Sequence, residues 1–171
     1  MRSLVTATAV AAALAAPAMA QETMRATATM MSAEGETVGT IELSENENGV
    51  LIHGEFEGLP PGWHAFHIHQ TGSCEDDFQA AGDHYNPTDK EHGVLNPAGA
   101  HAGDLPNLWV AVDGIAGHDV ITTDVTLAEG AEATLFDDDG SSFIIHENPD
   151  SYQADAGAGG RIACGVIEPA A

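Results

Sequence analysis

Apolar and polar positions alternate along this chain in short runs, and an alternation of period two is that of a β-strand. Val50 to Glu57 shows it most cleanly: Val50, Ile52 and Phe56 share one parity, and His53, Glu55 and Glu57 the other. Glu36 to Ser44 alternates as well, with Val38 and Thr40 set against Gly39, Ile41 and Leu43. Met24 to Ser32 is rich in Thr, Met and Ala. Turn-forming segments divide the runs at Glu34-Gly35, at Asn46 to Gly49 and at Leu59 to Gly62. Trp63 to Gln70 reads as a fourth strand. Leu108 to Asp113, Val120 to Leu127, Phe143 to His146 and Arg161 to Ile167 read as four more. These eight strands, without a convincing amphipathic helix, predict an all-β domain built as a sandwich or a flattened barrel.

Two segments interrupt the pattern. Gln70 to Asn107 is far longer than a hairpin loop, and Glu147 to Gly160 is polar and Gly-rich. A long loop without strands in a compact domain points to function. Gly157 to Gly160 lacks the strand–loop–helix setting of an anion cradle and reads as a flexible connector.

Met1 to Ala20 has a basic residue (Arg2), an apolar run from Leu4 to Ala16 and the small-residue triplet Ala18-Met19-Ala20. That is the pattern of a cleaved secretory signal, and the apolar run is too short to span a bilayer. A single domain over residues 21–171 is expected after it, in the periplasm or outside the cell. The formal charge is −23, with 4 Lys+Arg against 27 Asp+Glu. Nucleic acid and anionic membrane surfaces are poor partners for such a chain. Two cysteines, Cys74 and Cys164, in an exported protein read by default as a disulfide.

The chemistry concentrates in His64 to Asp104, which holds six of the nine histidines. His67 and His69 are two apart, so on a strand they face the same way, roughly 6.6–6.8 Å from each other along the chain. His64 and Phe66 have the opposite parity and should point into the domain. His84, His92 and His101 follow at intervals of 8 and 9, with Asp104 three further on. Three imidazoles and a carboxylate make a closed tetrahedral set for Zn²⁺, which suits a structural site. Phe143 to Ile145 is an apolar strand that ends on His146. That histidine could be a core residue or a third ligand beside His67 and His69, and an all-nitrogen site suits Cu(II). His84 lies between the two groups and could serve both ions as a bridging imidazolate.

These residues resemble those of the copper/zinc superoxide dismutases, specifically the exported bacterial branch. The matching stretches are Gly62 to His69, Gly82-Asp83-His84-Tyr85-Asn86-Pro87, Lys90-Glu91-His92-Gly93, His101 to Asn107, Ile145-His146-Glu147 and Gly160 to Ile167. The resemblance implies an eight-stranded Greek-key barrel with a long metal-binding loop and a second active-site loop. It implies copper on His67, His69, His84 and His146, and zinc on His84, His92, His101 and Asp104, one of each per subunit. It further implies that Asp150 links copper and zinc ligands by hydrogen bonds and that Arg161 is the active-site arginine. A Cys74–Cys164 bridge would pin Arg161 against the metal loop, where a guanidinium can dock a small anion. The implied activity is dismutation of superoxide, with His84 exchanging copper for a proton.

The chain departs from that family in charge. Cys74 is followed by Glu75-Asp76-Asp77, where exported relatives often carry a lysine, and Glu147 to Gly160 has no Lys or Arg. Capture of the anion then rests on Arg161 and the metals. Trp109 reads as a subunit contact of a homodimer or as a core aromatic. His53 shares a face with Glu55 and is expected in solvent; His118 follows Gly117 and is expected in a loop. Two other classes compete. A non-catalytic periplasmic copper/zinc-binding module would need the ligands but not Arg161 or a bridging histidine. A zinc hydrolase would need an open zinc position, which the His3Asp set does not leave.

Overall fold

A computed structural model describes residues 23–170. The expected signal segment lies outside the described residues, where the start of the domain at residue 21 also falls. The strands in chain order are β1 (Met24–Ser32), β2 (Thr37–Asn46), β3 (Gly49–Phe56), β4 (Gly62–His64), β5 (Phe66–His69), β6 (Leu108–Val110), β7 (Ala116–Thr122), β8 (Ser142–His146), β9 (Arg161–Val166) and β10 (Glu168–Pro169). One 3-10 turn, Gln79–Ala81, is the sole helical element among the described residues. No helix there is long and apolar enough to cross a membrane.

The main sheet runs β5-β8-β9-β1-β2-β3-β7, antiparallel throughout, with β10 added beside β1. β4 leads directly into β5 and pairs with β6, which lies against β7. The sheet therefore curls back on itself around one apolar interior. With β4 and β5 counted as a single broken strand, this is the expected eight-stranded barrel, and the β3–β7 and β1–β9 pairings give it non-consecutive neighbours.

The strand expected over Trp63 to Gln70 is in fact these two pieces. The break falls at Ala65, whose N–H donates to Asn148 O while its C=O accepts from His146 N–H, each at 2.9 Å. The Val120 to Leu127 expectation was displaced: the strand is Ala116–Thr122, so His118 sits on a strand and not in a loop. Its parity is that of Ala116 and Val120, and its ring meets Phe66 edge-on at 5.5 Å. The Leu108 to Asp113 strand stops at Val110, because a turn closed by Gly114 N–H to Ala111 O follows. Val38, expected to share a face with Thr40 against Ile41 and Leu43, is buried with those two instead. A β-bulge opposite Met30 and Met31 inserts one residue there and resets the parity.

Elsewhere parity holds. Val50, Ile52 and Phe56 enter the core, while Leu51, His53 and Glu55 face solvent. Phe56 lies back over two glycines. A Cβ at Gly39 would stand 2.5 Å from the ring, and one at Gly54 would stand 2.6 Å from it.

A second, smaller cluster sits outside the barrel wall. On β8, Phe143 and Ile145 point inward, while Ile144 points outward with Cys164 of β9, its register partner. Phe78 and Ala81 from the long loop cover that pair. The Cys74–Cys164 disulfide, closing a separation of 90 residues, fastens the loop to the wall at this point. Loop-closure entropy assigns a bridge of this span roughly 4–5 kcal/mol. The Gly157 to Gly160 segment is tied down and is no free connector: Glu147 N–H donates to Gly160 O (2.7 Å) and Asn148 N–H to Ala158 O (2.8 Å).

The space under Phe56 gives a paired expectation. Gly54→Ala forces a methyl into a buried ring and should destabilise the protein by about 1–3 kcal/mol. Gly117→Ala, on the facing strand with nothing within 4 Å of its Cβ, should change stability little. Equal shifts of the two in urea unfolding would refute this reading of the core.

Candidate metal centre

Strand β5 is buried on both faces, because Phe66 and Ile68 fill the barrel while His67 and His69 project from its outer wall. His146 ends β8 on the same outer face, against β5 through the Phe66–Ile145 register. The loop over residues 70–107 folds across this wall and delivers His84, His92, His101 and Asp104. His64 takes the opposite parity, as expected. It is buried, with its ring nitrogens 2.8 Å from the carbonyls of Pro60 and His146.

Two groups of four ligand-type residues result, each with donor atoms within 4.8 Å of one another: His67, His69, His84 and His146; and His84, His92, His101 and Asp104. His84 belongs to both. His146 therefore joins the histidines of β5 and is not a separate core residue. In the first group His67 Nδ1, His69 Nε2 and both ring nitrogens of His146 are buried with no hydrogen-bond partner. Buried polar atoms are almost always paired, and an orphan costs about 1–3 kcal/mol. Several orphaned imidazole nitrogens facing one point are the donor set of a nitrogen-preferring metal such as copper.

In the second group His84 Nδ1, His92 Nδ1 and His101 Nδ1 lie 2.8, 2.9 and 3.2 Å from the same oxygen, Asp104 Oδ1, and His101 Nδ1 lies 3.4 Å from His84 Nδ1. One carboxylate oxygen cannot accept three good hydrogen bonds. Zn–N bonds of about 2.0–2.1 Å put tetrahedral ligand atoms roughly 3.3 Å apart, which is this spacing. The other carboxylate oxygen, Asp104 Oδ2, accepts the N–H groups of Gly93 (2.9 Å) and His101 (3.0 Å), which fixes the carboxylate plane.

Asp150 spans the two groups. Its Oδ2 lies 2.8 Å from His67 Nε2 and 3.1 Å from His92 Nε2. Asn107 positions it with a reciprocal pair: Asn107 Nδ2 donates to Asp150 O at 2.9 Å, and Asp150 N–H donates to Asn107 Oδ1 at 2.8 Å. Tyr152 N–H donates to Asp150 Oδ1 (2.7 Å), and the Tyr152 hydroxyl accepts from Asn107 N–H (2.8 Å). A single carbonyl performs the equivalent task beside His69. Gly82 O accepts from His69 Nδ1–H (2.9 Å) and from Arg161 Nη2 (2.6 Å), while Arg161 Nη1 donates to Phe78 O (2.5 Å). The bond from Nδ1 leaves His69 Nε2 as the free lone pair. Arg161 is thereby held against the metal loop, and its charge is felt at His69 and His146.

Burial keeps the imidazoles of His67, His69 and His146 neutral. It pushes His67 down to about 4, against the opposing Asp150 hydrogen bond. It pushes His69 down to about 2 and His146 to about 3, with neighbouring imidazoles adding to the effect. Burial alone would raise Asp150, but hydrogen bonds from His67, Tyr152 N–H and His92 outweigh it and bring the carboxyl to about 2. Asp104 likewise stays well below the carboxylate range, because His84 and Gly93 N–H overcome its burial. Neutral imidazoles and ionised carboxylates are the forms that bind metal.

Asn107, Gly82 and Tyr152 were not singled out from sequence. Asn107 and Gly82 lie inside runs that carry the resemblance, but Gly82 acts through its carbonyl, and Asn107 through a side-chain amide whose partner is the backbone of Asp150, far along the chain. His53, as expected, is on the outer face, 2.6 Å from Asp119. Trp109 is 51% exposed and packs at a tilt against Trp63 across the ladder, with centroids 5.0 Å apart, so the core-aromatic alternative fails.

Residues 37–167 match the model of the copper/zinc superoxide dismutase (SODC) family. A superoxide dismutase [Cu-Zn] of Aquifex aeolicus is 45% identical over 148 residues, covering 84% of this chain and 86% of the relative. One from Caulobacter vibrioides is 43% identical over 148 residues, covering 84% and 85%. Among solved structures, a double mutant of a SOD-like protein from Bacillus subtilis superposes with a TM-score of 0.79 at 43% identity, over 82% of this chain and 95% of that one. The chain belongs to the copper/zinc superoxide dismutase family.

The burial of the His67, His69 and His146 imidazoles sets how the metal-free protein should respond to acid. The three histidines stay neutral in the fold while their unfolded counterparts protonate below about 6.5, so the unfolded state binds more protons. Asp150 adds the same sign between about 3.8 and 2. Stability should fall from pH 6.5 downward, on the order of several kcal/mol by pH 4.5 at about 1.4 kcal/mol per pKa unit. Thermal unfolding of chelated protein at pH 7 and 4.5 reads this, and an unchanged Tm would contradict it.

Proposed function

We propose that this protein is a superoxide dismutase, converting two superoxide anions and two protons into O2 and H2O2. The observation that carries the reading is the membership of His84 in both ligand groups, with Arg161 fixed beside one of them. His67, His69, His84 and His146 would hold copper; His84, His92, His101 and Asp104 would hold zinc. Copper, when bound, supplies the one-electron chemistry that oxidises one superoxide and reduces the next; zinc has no redox chemistry and serves as a structural staple.

The remaining roles belong to the chain. With Nδ1 directed at Asp104, His84 keeps Nε2 for the other group, and at Nε2 it can take up a proton and return it to the departing peroxide. Asp150 fixes ring orientation at one ligand of each metal, His67 and His92, as outer carboxylates do in metal sites. Arg161 docks the anion. Its two carbonyl bonds set the guanidinium in place before substrate arrives, so little entropy is lost on binding. The Cys74–Cys164 bridge and the leader pattern at residues 1–20 support a periplasmic or secreted location.

The Trp63–Trp109 pair supports a homodimer through the β4–β6 face. Two half-exposed indoles on adjacent strands offer the kind of aromatic anchor that interfaces favour. Static light scattering should give the mass of two protomers, and Trp109→Glu should reduce it to one. A single-protomer mass for the unaltered protein would rule the contact out.

The activity is tested by metal analysis, copper EPR and superoxide turnover on the loaded protein. One copper and one zinc per chain are expected, with catalysis. Arg161→Ala should keep both metals and lose about 10- to 100-fold in rate, the equivalent of one charge-assisted hydrogen bond. With so acidic a chain, the rate should be flat or rise as salt increases. Protein that binds both metals yet turns over no superoxide would be a metal-binding module instead.

A further inference from the structure

Tyr152 joins the two loops of the site without belonging to either ligand group. Its backbone has φ 64°, in the left-handed region that a non-glycine residue rarely occupies. Such a conformation persists only where the surroundings hold it, and residues of this kind cluster at functional sites. Three hydrogen bonds hold this one. Tyr152 N–H donates to Asp150 Oδ1 (2.7 Å), the Tyr152 hydroxyl accepts from Asn107 N–H (2.8 Å), and Tyr152 O accepts from Leu95 N–H (2.9 Å). The approach is close: a Cβ at Gly93 would stand 2.7 Å from Tyr152 O and 2.5 Å from Gln153 O.

These bonds close two circuits. In the first, the Asn107 side chain clasps the backbone of Asp150, Asp150 Oδ1 accepts from Tyr152 N–H, and the Tyr152 hydroxyl returns to Asn107 N–H. This ring leaves the Asp150 carboxylate one orientation, with Oδ2 toward His67 and His92. The second circuit runs through the metal loop. From Leu95 the chain leads back to Gly93, whose N–H donates to Asp104 Oδ2 (2.9 Å). His92 lies between the ends of that circuit: its Nδ1 is 2.9 Å from Asp104 Oδ1, and its Nε2 is 3.1 Å from Asp150 Oδ2. The spacing of two carboxylates across one imidazole is therefore set through Tyr152.

We infer that Tyr152 is a positioning residue of the metal centre, which holds Asp150 and Asp104 at the two nitrogens of His92 and so keeps that ring aligned within its ligand group. The inference rests on the copper and zinc assignment proposed above. The hydroxyl is the part of Tyr152 that a substitution can isolate. Phenylalanine keeps the ring and removes the acceptor of Asn107 N–H. A donor left without its partner is unfavourable, so Asn107 loosens, and with it the carboxylate that Asn107 clasps.

The test compares Tyr152→Phe with Ser151→Ala in full-length protein loaded with copper and zinc. The Ser151 hydroxyl bonds within its own loop, donating to Asp155 O (2.6 Å) and accepting from Gln153 N–H (3.1 Å). Its loss loosens that loop without removing a bond to Asp150 or Asn107. Zinc release is followed with an excess of a chelating dye, and the copper EPR spectrum is recorded on the same samples. Tyr152→Phe should release zinc about tenfold faster, the low end of what loss of an outer support costs a metal site. It should also shift the copper EPR parameters, because Asp150 orients His67 as well. Ser151→Ala should match the unaltered protein in both readouts. Tyr152→Gly relieves the left-handed backbone but lacks the hydroxyl, so it should release zinc at least as fast as Tyr152→Phe; slow release from it would overturn the role of the hydroxyl. Equal acceleration in Tyr152→Phe and Ser151→Ala would reduce the effect to a looser loop and overturn the inference. Unchanged release and spectrum in Tyr152→Phe would also overturn it and leave the metal assignment standing. Failure of the unaltered protein to bind the two metals would remove both.

Discussion

Everything around this site answers one constraint: imidazole nitrogens stand on the outer wall of a barrel with nothing to hydrogen-bond. His67 and His69 point away from the core because Phe66 and Ile68 point into it. An exposed pair of histidines would be unremarkable. Here the loop over residues 70–107 covers them, and His67 Nδ1, His69 Nε2 and both nitrogens of His146 are left buried without partners. Such burial costs the metal-free fold free energy that a cation can return. The cover must therefore be held down by something other than the metal. The disulfide, the Phe78–Ala81 contact with Ile144 and the Arg161 bonds to Phe78 O and Gly82 O do this.

Much of this was legible in the sequence because strand parity is a strict code. The i, i+2 spacing put His67 and His69 on one face and returned His64 to the interior. It failed where the ladder is irregular. Val38 changed face because a bulge adds one residue, an event that no residue type announces at that point. His118 was read as a loop residue because Gly117 precedes it, yet β7 needs no side chain at Gly117 to pair with β3. The ligand types and their spacing were readable because few residues bind metals. The supports were not. Gly82 acts through its carbonyl, which every residue has, and Asn107 and Tyr152 use a side-chain amide and a hydroxyl on backbone groups, partners that only the folded chain brings to them.

Charge in this chain resolves into two local problems. The summed charge of −23 would repel superoxide at long range, but screening confines that repulsion to about 8 Å in physiological salt. Within that distance of the copper group stands Arg161, fixed by two carbonyls. The zinc side looks out on carboxylates. An acidic surface is thus compatible with an anionic substrate when the cation that receives it is preset and close.

The two groups are coupled twice over, through His84 as a shared ligand and through Asp150 as a shared acceptor for His67 and His92. A metal in the group of His84, His92, His101 and Asp104 would fix His84 and His92 from their Nδ1 sides. That would orient His84 Nε2 toward His67, His69 and His146 and hold Asp150 on His67, so occupation of one group would favour the other. The benefit runs both ways, because a coupling free energy between two sites is reciprocal.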